Sequence, residues 1–538
     1  MKKTSITIAV IFGCLCSTPL LKAQSAIDAL QLTQSDFKGT ARFMSMGGAF
    51  TALGGDLSAI NVNPGGIAVY RSSEIGVSLD LDFQNAKGKS PGITASDSQT
   101  KFYCNNFGYV GTTNLKGAME TFSWGVTYNR QVSFDRRVSG RAYPVGTSLT
   151  NYIAAFTNGI EADDLTFYDD YNPYLDSNID WLSILAYSSY LINTPNGMSD
   201  RYLGLYHNGT ESDAEMSVLE KGYVDNYQFT FGGNVSNLVY WGLGIGVNDL
   251  RYVRQTYYSE SMSDALVYSN SAAGTTPGSA EYALYNNKVT SGTGWNISFG
   301  VILRPIQELR IGASIKSPTW YNISESYIGS VDYWMQQTNS NNVLKGTEYT
   351  DEAYFNWKLR SPWRFNIGAA AVLGTKAIIS LDYERVMYND MTMKTALYNN
   401  WGNVTGYQDA EYLNDDIRAY TQNANNIRVG LEYRVTPKVS ARLGYNVQLT
   451  NISSEYADGT QEIFTAGTDP SFSLDKTTNY ITAGLGYKFS NFYADLTYVH
   501  KTAKSSLHPY TSYGAIQAPA FDITQNNNSF VLSLGYKF

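Results

Sequence analysis

The sequence is short of the residues on which most enzymes and nucleic-acid-binding proteins depend. Charged residues make up 16% of the 538 positions and histidine occurs only three times. No G-x-S-x-G run or metal-spaced pair accompanies these histidines, so the sequence predicts no enzyme. Lys and Arg form no cluster and the net charge is −8, which argues against a nucleic-acid partner because phosphate binding requires a basic face.

Cysteine and long apolar runs are also scarce. Of the three cysteines, only Cys104 lies beyond residue 24, so no internal disulfide is predicted. After the N-terminus there is no run of about eighteen apolar residues, which excludes a conventional spanning helix there. A transmembrane β-barrel is not excluded, because its apolar residues alternate with polar ones.

The first 23 residues have the three parts of a secretory signal. Lys2-Lys3 is followed by an apolar core from 6 to 15 and then by Leu21-Lys22-Ala23. This order predicts a signal peptide over 1–23 and export of the remaining chain.

No cofactor or bound metal is predicted. The most acidic stretch, from Asp163 to Asp180, lacks the glycine and the distal glutamate of a calcium-binding EF-hand loop. It is interpreted as a solvated surface or as an ion bridge to lipopolysaccharide.

Residues 24–73 differ from everything that follows. The segment is mildly apolar, and its glycines at 47, 48, 54, 55, 65 and 66 leave room only for short helices. A helix is predicted near 26–32, and Asp56 is a suitable N-cap for a second one. The segment is therefore predicted to form a compact plug.

After Ser73 the hydrophobic period becomes two. Between 427 and 435 every odd position is apolar and every even one is polar or glycine, which is typical of a strand with one polar and one apolar face. A soluble sandwich would also alternate, but its polar face would carry more Lys and Glu. Strands are predicted near 74–86, 101–112, 120–134, 223–235, 238–256, 290–303, 307–322, 352–372, 376–388, 425–435, 438–452, 477–489, 491–503 and 525–538.

The links between these fourteen strands are alternately short and long. Tight links include Ser236-Asn237 and Thr436-Pro437, whereas the second long link covers 135–222. This alternation predicts an antiparallel barrel over 74–538 with periplasmic turns and extracellular loops. Strands in lipid must close into a ring, since open edges would leave unpaired N–H and C=O groups in hydrocarbon.

With these features the chain resembles the FadL/TodX family of outer-membrane transporters, and especially its members from Bacteroidetes. The resemblance is carried by Ala41-Arg42, Gly47-Gly48-Ala49, Asp56 and Asn63-Pro64, in the order of that family's N-terminal hatch. Gly65 stands where the family usually has Ala. The terminal Phe538 looks like the signal read by the barrel-assembly machinery.

The resemblance implies a fourteen-stranded outer-membrane barrel, plugged by the hatch, that passively transports hydrophobic molecules such as long-chain fatty acids. It also implies a gap in the barrel wall beside a kinked early strand. The hatch motif residues are Gly47, Gly48, Asp56, Asn63, Pro64 and Gly65, and the glycines are interpreted as hinges. The apolar hatch residues proposed as the floor of a ligand pocket are Phe43, Met44, Met46, Phe50, Leu53 and Ile60.

Three alternatives remain open at this point. The apolar hatch side chains would also suit packing of the plug against the wall. The apolar segment 181–192 is either a landing site for a ligand or a helix packed over the barrel mouth. Finally, the long loop 135–222 would suit a barrel that docks a partner in a protein secretion system.

Overall fold

The computed structural model describes residues 24–90, 93–176, 178–195, 197–270, 274–399, 401–514 and 516–538. The predicted signal peptide lies outside the described residues. The helices are α1 (Ala26–Leu32), α2 (Ala41–Ser45), α3 (Ala59–Val62), α4 (Leu149–Thr157), α5 (Trp181–Ser188) and α6 (Glu411–Tyr420), with 3-10 turns at Pro64–Val69, Ala162–Leu165, Pro173–Leu175 and Tyr388–Asp390. None of these helices is long and apolar enough to cross a membrane.

Most of the described chain is β-strand. The strands are β1 (Glu74–Ser90), β2 (Ile93–Asn114), β3 (Met119–Ser133), β4 (Arg136–Ala142), β5 (Ile192–Asn193), β6 (Leu203–Gly204), β7 (Glu211–Val235), β8 (Val239–Tyr268), β9 (Thr275–Ile306), β10 (Leu309–Lys316), β11 (Trp320–Gln337), β12 (Val343–Tyr349), β13 (Ala353–Arg360), β14 (Arg364–Leu373), β15 (Ala377–Val386), β16 (Thr392–Tyr398), β17 (Val404–Asp409), β18 (Ala424–Arg434), β19 (Val439–Gln448), β20 (Phe472–Phe489), β21 (Phe492–His508) and β22 (Phe521–Lys537).

Fourteen of these strands form a closed antiparallel ring. Its order is β1, β2, β3, β7, β8, β9, β10, β14, β15, β18, β19, β20, β21 and β22. The ring closes where β22 pairs with β1, from Lys537 opposite Glu74 to Asp522 opposite Lys89. The predicted fourteen-stranded barrel is therefore confirmed.

The outside of the barrel carries an apolar belt. On β18 the outward side chains Ile427, Val429 and Leu431 are exposed, whereas Asn426 and Arg428 point inward and are buried. A closed barrel with an apolar outer surface is the architecture of outer-membrane β-barrels. The predicted location in the outer membrane is confirmed by this arrangement.

Above the belt the two faces exchange their polarity. On β9 the outward Ile297 and Phe299 are exposed to the membrane, but further along the same strand the inward Ala280, Tyr282 and Leu284 are the apolar residues. The outward positions there are polar or small, so this part of the wall stands in water. Several barrel strands thus continue well beyond the membrane.

These continuations were predicted to be loops, and that prediction was wrong. β4 and the first half of β7 lie inside the predicted loop 135–222, and the predicted loop 257–289 belongs largely to β8 and β9. A crossing needs only about nine to eleven residues per strand. Outward side chains are apolar only within the belt, so an apolar outer face does not mark the part of a strand that continues beyond it.

Proline divides two strands that the sequence predicted as continuous. Ser317-Pro318-Thr319 separates β10 from β11, and Ser361-Pro362-Trp363 separates β13 from β14. Proline lacks the N–H that a ladder requires. The two breaks lie side by side, because Ser361 N donates to Thr319 O over 3.0 Å.

The mouth of the barrel is covered by packed helices. The apolar sides of α4 and α5 belong to a buried cluster that includes the inward residues of β7, β8 and β9. A second cluster joins the hatch helix α1 to the loop helix α6. The extracellular loops therefore form a lid with its own core.

A test of the membrane belt compares two valines near β18. Val429→Arg places a charge near the middle of the apolar row, whereas Val435→Arg places it beside the periplasmic turn. We expect a loss of folding free energy of about 2–4 kcal/mol for the first and about 0–1 kcal/mol for the second. Urea titration in lipid vesicles, followed by heat-modifiable gel mobility, measures both; equal losses would contradict the assigned depth.

Candidate functional site

The hatch is stabilised internally by Thr40 and Asp56. The Thr40 side chain caps α2 by accepting from Phe43 N over 3.2 Å, and it donates to Asp56 over 2.7 Å. Asp56 also accepts from Ser58 N over 2.9 Å. Burial raises the pKa of the Asp56 carboxyl, against the opposing effect of Arg42. This carboxylate thus links the two sides of the hatch.

The Asn63-Pro64 turn fixes the hatch to the barrel wall. Asn63 Nδ2 donates to Thr51 O over 2.6 Å and to Val301 O over 3.2 Å, and Asn63 Oδ1 accepts from Gly65 N over 2.9 Å. A Cβ at Gly65 would lie 2.9 Å from the carbonyl oxygen of Gly300 on β9. The absence of a side chain at Gly65 therefore permits close contact with the wall.

Gly47 and Gly48 end α2 with left-handed backbone conformations, φ 62° and 78°. The sequence analysis interpreted them as hinges. In the structure, a Cβ at Gly47 would lie 2.6 Å from the carbonyl oxygen of Tyr445 on β19. Gly47 is thus a point of close backbone contact with the wall, and movement there requires that contact to separate.

Ion pairs connect the hatch to the polar lumen. Arg42 Nε lies 3.1 Å from Glu432 Oε2, which also lies 2.6 Å from Arg442 Nε. On the other side of the hatch, Lys38 Nζ lies 3.0 Å from Asp80 Oδ2. Charged side chains of the lumen therefore pair with one another and anchor the plug.

The proposed pocket-floor residues are all buried, but they occupy different surroundings. Phe43 and Met44 each border a polar lumen cavity, of about 150 Å³ and 170 Å³ respectively. Met46, Phe50 and Leu53 belong to the apolar cluster between hatch and wall. Ile60 packs in a separate small cluster that contains Leu57 and Ile67.

An apolar cavity lies higher, inside the lid, and has a volume of about 400 Å³. The segments that supply its walls include α4 with Tyr152, α5 with Trp181, α6 with Leu413, and the loop that carries Phe464. Trp181 is held by donation from Nε1 to Tyr174 O over 3.2 Å. Of the two predicted roles for this segment, the structure shows the helix packed over the barrel mouth, with its remaining apolar residues buried; a landing site for a ligand stays a prediction.

Helix α1 separates this upper cavity from the lumen. Gln24 and Ser25 at its start line the upper cavity, whereas Gln31 and Gln34 near its end line the polar cavity of about 170 Å³ below. The Ser25 side chain accepts from Asp28 N, and the Asp28 side chain accepts from Ser25 N over 3.0 Å, which forms a capping box. The hatch thus reaches from the periplasmic side up to the lid.

Polar contacts with several parts of the wall hold α1 and the segment after it in place. Asp28 contacts Lys288 of β9, and Gln34 Nε2 donates to Asp475 over 2.6 Å. Asp36 N donates to Gln131 O over 3.2 Å. Burial alone would raise the pKa of the Asp36 carboxyl, but Lys501 and Lys38 outweigh that effect and keep its pKa below the ordinary value.

Beside the polar lumen cavity of about 170 Å³, backbone pairing between neighbouring strands of the wall is interrupted. The β2–β3 ladder runs from Asn114 opposite Thr121 to Asn106 opposite Asn129. Among the described residues, no earlier residue of β2 pairs with β3 or β4. β3 also has a register shift between Arg130 and Val132. The seam between β2 and β4 is thus a discontinuity in the sheet.

Side chains bridge this seam where the ladder is missing. Lys101 Nζ lies 2.9 Å from Asp135 Oδ1, Tyr103 Oη donates to Asp135 Oδ2 over 2.9 Å, and Arg137 Nε lies 2.9 Å from Asp97 Oδ2. Sequence reasoning did not identify these residues. Each lies on a polar stretch without a motif, so only the register of the strands brings them together.

A test of the hatch anchor compares two asparagines. Asn63→Ala removes the side-chain donor to the Thr51 carbonyl and a second contact to the Val301 carbonyl, and a buried carbonyl left without a donor costs about 1–3 kcal/mol. Asn61→Ala, at a half-buried position whose side chain accepts from Lys316, is the control. We expect faster hydrogen exchange across 40–66 in the first variant only; equal exchange in both would contradict the role of Asn63.

Comparisons with known proteins bear on the fold alone. Neither the family models nor the curated proteins give a match. The crystal structure of a Pseudomonas aeruginosa FadL homologue superposes with a TM-score of 0.51 at 12% identity, over 94% of this chain and 99% of that one. The toluene transporter TodX of P. putida gives 0.49 at 13% identity, over 94% and 99%. The first of these two comparisons shows that the chain has the fold of a FadL homologue. This fold is a transmembrane barrel of fourteen strands with helices at its N-terminus.

Proposed function

We propose that this protein is a FadL-type transporter that carries hydrophobic molecules passively across the outer membrane. The observation that carries the proposal is the apolar cavity of about 400 Å³ inside the lid, with the start of the hatch in its lining. Its size falls in the range of small-molecule sites, and its walls are mainly aromatic and aliphatic. A hydrophobic molecule is the ligand that suits such a lining.

Binding requires no chemistry on the ligand. Apolar area removed from water contributes about 25 cal/mol per Å², so a chain of moderate length gains several kcal/mol by entering the cavity. The polar lumen below offers no equivalent gain. The ligand therefore rests in the upper cavity until the hatch moves.

Passage requires displacement of α1, which separates the two cavities. Its contacts with the wall include the Asp28–Lys288 pair and the apolar packing of its buried side in the cluster that also contains α6. Once α1 moves, the ligand reaches the lower cavities bordered by Phe43 and Met44. We propose that these two residues contact the ligand, while Met46 and the other apolar hatch residues keep the plug packed.

We propose the β2–β4 seam as the exit. The lower cavity is lined by Ser133, Phe134, Asp135 and Arg136, which belong to this seam or lie at its edge. Side-chain bridges open without breaking a backbone ladder. Because β4 lies above the apolar belt, a hydrophobic molecule leaving there emerges at the outer surface of the membrane.

The same proposal extends to the substrate and to the partners of the protein. Long-chain fatty acids are the substrate example implied by the family resemblance. Phe538, exposed at the periplasmic end of the barrel, is proposed as the contact for the barrel-assembly machinery, and the acidic loop at 163–180 as a contact for lipopolysaccharide. The docking role in secretion has less support, because most of the apolar residues of the long loop are buried in the lid.

A test of the transport proposal fills the upper cavity. Ala466→Trp adds a large ring to its lining, whereas Ala419→Trp places the same ring on the exposed side of α6. We expect uptake of a labelled hydrophobic molecule to fall several-fold in the first variant only, because the ligand loses its resting place. Heat-modifiable mobility confirms that both variants assemble; wild-type uptake by Ala466→Trp would contradict the proposal.

A further inference from the structure

The upper cavity has an unusual distribution of charge for a site that accepts hydrophobic molecules. Its lining contains four carboxylates, Asp176, Asp180, Asp416 and Glu462, and one cation, Lys288. The carboxylates come from three different loops, so the excess of negative charge is a property of the assembled cavity.

The single cation is already neutralised. Lys288 contacts the Asp28 carboxylate of the hatch, and only 14% of its side chain is exposed. The carboxylate of Glu325 is a second negative group that acts on it. A ligand with a carboxylate head would therefore find no free positive partner in this cavity.

The four carboxylates, in contrast, lack cationic partners. Across the residues that the structure describes, none of the four lies within 4.0 Å of a Lys, Arg or His nitrogen. Asp416 and Glu462 are half-buried, and burial raises the pKa of both carboxyl groups. Their negative charge is thus only partly solvated and is not compensated by the protein.

The lining also contains aromatic rings, whose faces attract cations. These rings come from α4, α5, α6, the barrel extension and the loop before β20: Tyr152, Phe156, Trp181, Tyr327, Phe355, Tyr412 and Phe464. A cation over such a ring gains about 0.5–2 kcal/mol, with the larger values in desolvated sites. Aromatic faces beside unpaired carboxylates form a suitable environment for an ammonium group on an apolar chain.

We infer that the upper cavity prefers amphiphiles with a cationic head, an amine or a quaternary ammonium on an apolar chain, over amphiphiles with a carboxylate head. This inference rests on the proposed function, because it concerns the ligand of the same cavity. It also changes the expected substrate class, since a long-chain fatty acid carries the disfavoured charge.

The experiment compares three ligands that share a dodecyl chain and differ only in the head group: dodecyltrimethylammonium, dodecanol and dodecanoate. Binding to the full-length mature protein in zwitterionic nanodiscs is measured by equilibrium dialysis, with binding to empty nanodiscs subtracted. We expect the cation to bind at least about tenfold more tightly than the anion, with dodecanol between them, because several exposed ion pairs contribute together.

Variants assign the preference to the carboxylates. Asp416→Asn combined with Glu462→Gln should reduce the ratio between cation and anion to about threefold or less, while dodecanol binding stays unchanged. Glu455→Gln, in the same loop as Glu462 but outside the cavity lining, should leave the ratio as in the wild type. An unchanged ratio in the double variant would overturn the inference.

The outcomes also separate this inference from the function on which it rests. If dodecanol binds and Ala466→Trp abolishes that binding, the cavity is a hydrophobic site; equal or tighter binding of dodecanoate then refutes the charge preference alone. If dodecanol binding is absent or insensitive to Ala466→Trp, the proposed site itself is wrong and the inference fails with it.

Discussion

Backbone hydrogen bonding in lipid is the constraint on which this structure depends. No water is available there to pair with N–H and C=O groups, so the strands must close into a ring. The β22–β1 ladder completes that ring along most of both strands. Against this background the seam between β2 and β4 stands out, because side chains of Lys101, Asp135 and Arg137 take the place of the ladder.

The exchange of polarity along the strands determines where a hydrophobic ligand can be held. Within the membrane the apolar side chains face outward, so the lumen is polar and its charges anchor the hatch. Above the membrane the outer face meets water, and the apolar side chains turn inward around α4 and α5. An apolar cavity therefore forms in the lid, and the hatch must extend α1 upward to reach it.

Much of this architecture was predictable because it depends on local patterns. Period-two alternation such as that at 427–435 gave the strand number, and the glycine-rich segment 24–73 gave the hatch. The strand extensions were missed because their apolar side chains lie on the opposite face. The breaks at Pro318 and Pro362 were also missed, although the two prolines are visible in the sequence.

The site was less predictable because it depends on contacts between distant segments. Tyr152, Trp181, Leu413 and Phe464 line one cavity, yet no spacing in the sequence relates them. The apolar hatch residues were reasonable candidates for ligand contact on composition alone. Residues such as Met46 and Phe50 pack the plug against the wall, since a hatch inside a polar lumen needs an apolar core of its own.

The central claim is that the N-terminal segment of the hatch must move for a hydrophobic molecule to pass. Asp36 N donates to Gln131 O over 3.2 Å, so the two backbones adjoin at this point. In a Cys104→Ser background, Ser35→Cys and Gln131→Cys allow a reversible disulfide between hatch and wall. The decisive measurement is uptake of a labelled hydrophobic molecule by proteoliposomes, first oxidised and then reduced. The account predicts slow uptake when oxidised and recovery on reduction, with both single-cysteine variants unaffected; equal uptake in the two states, with the disulfide verified by mass spectrometry, would contradict it.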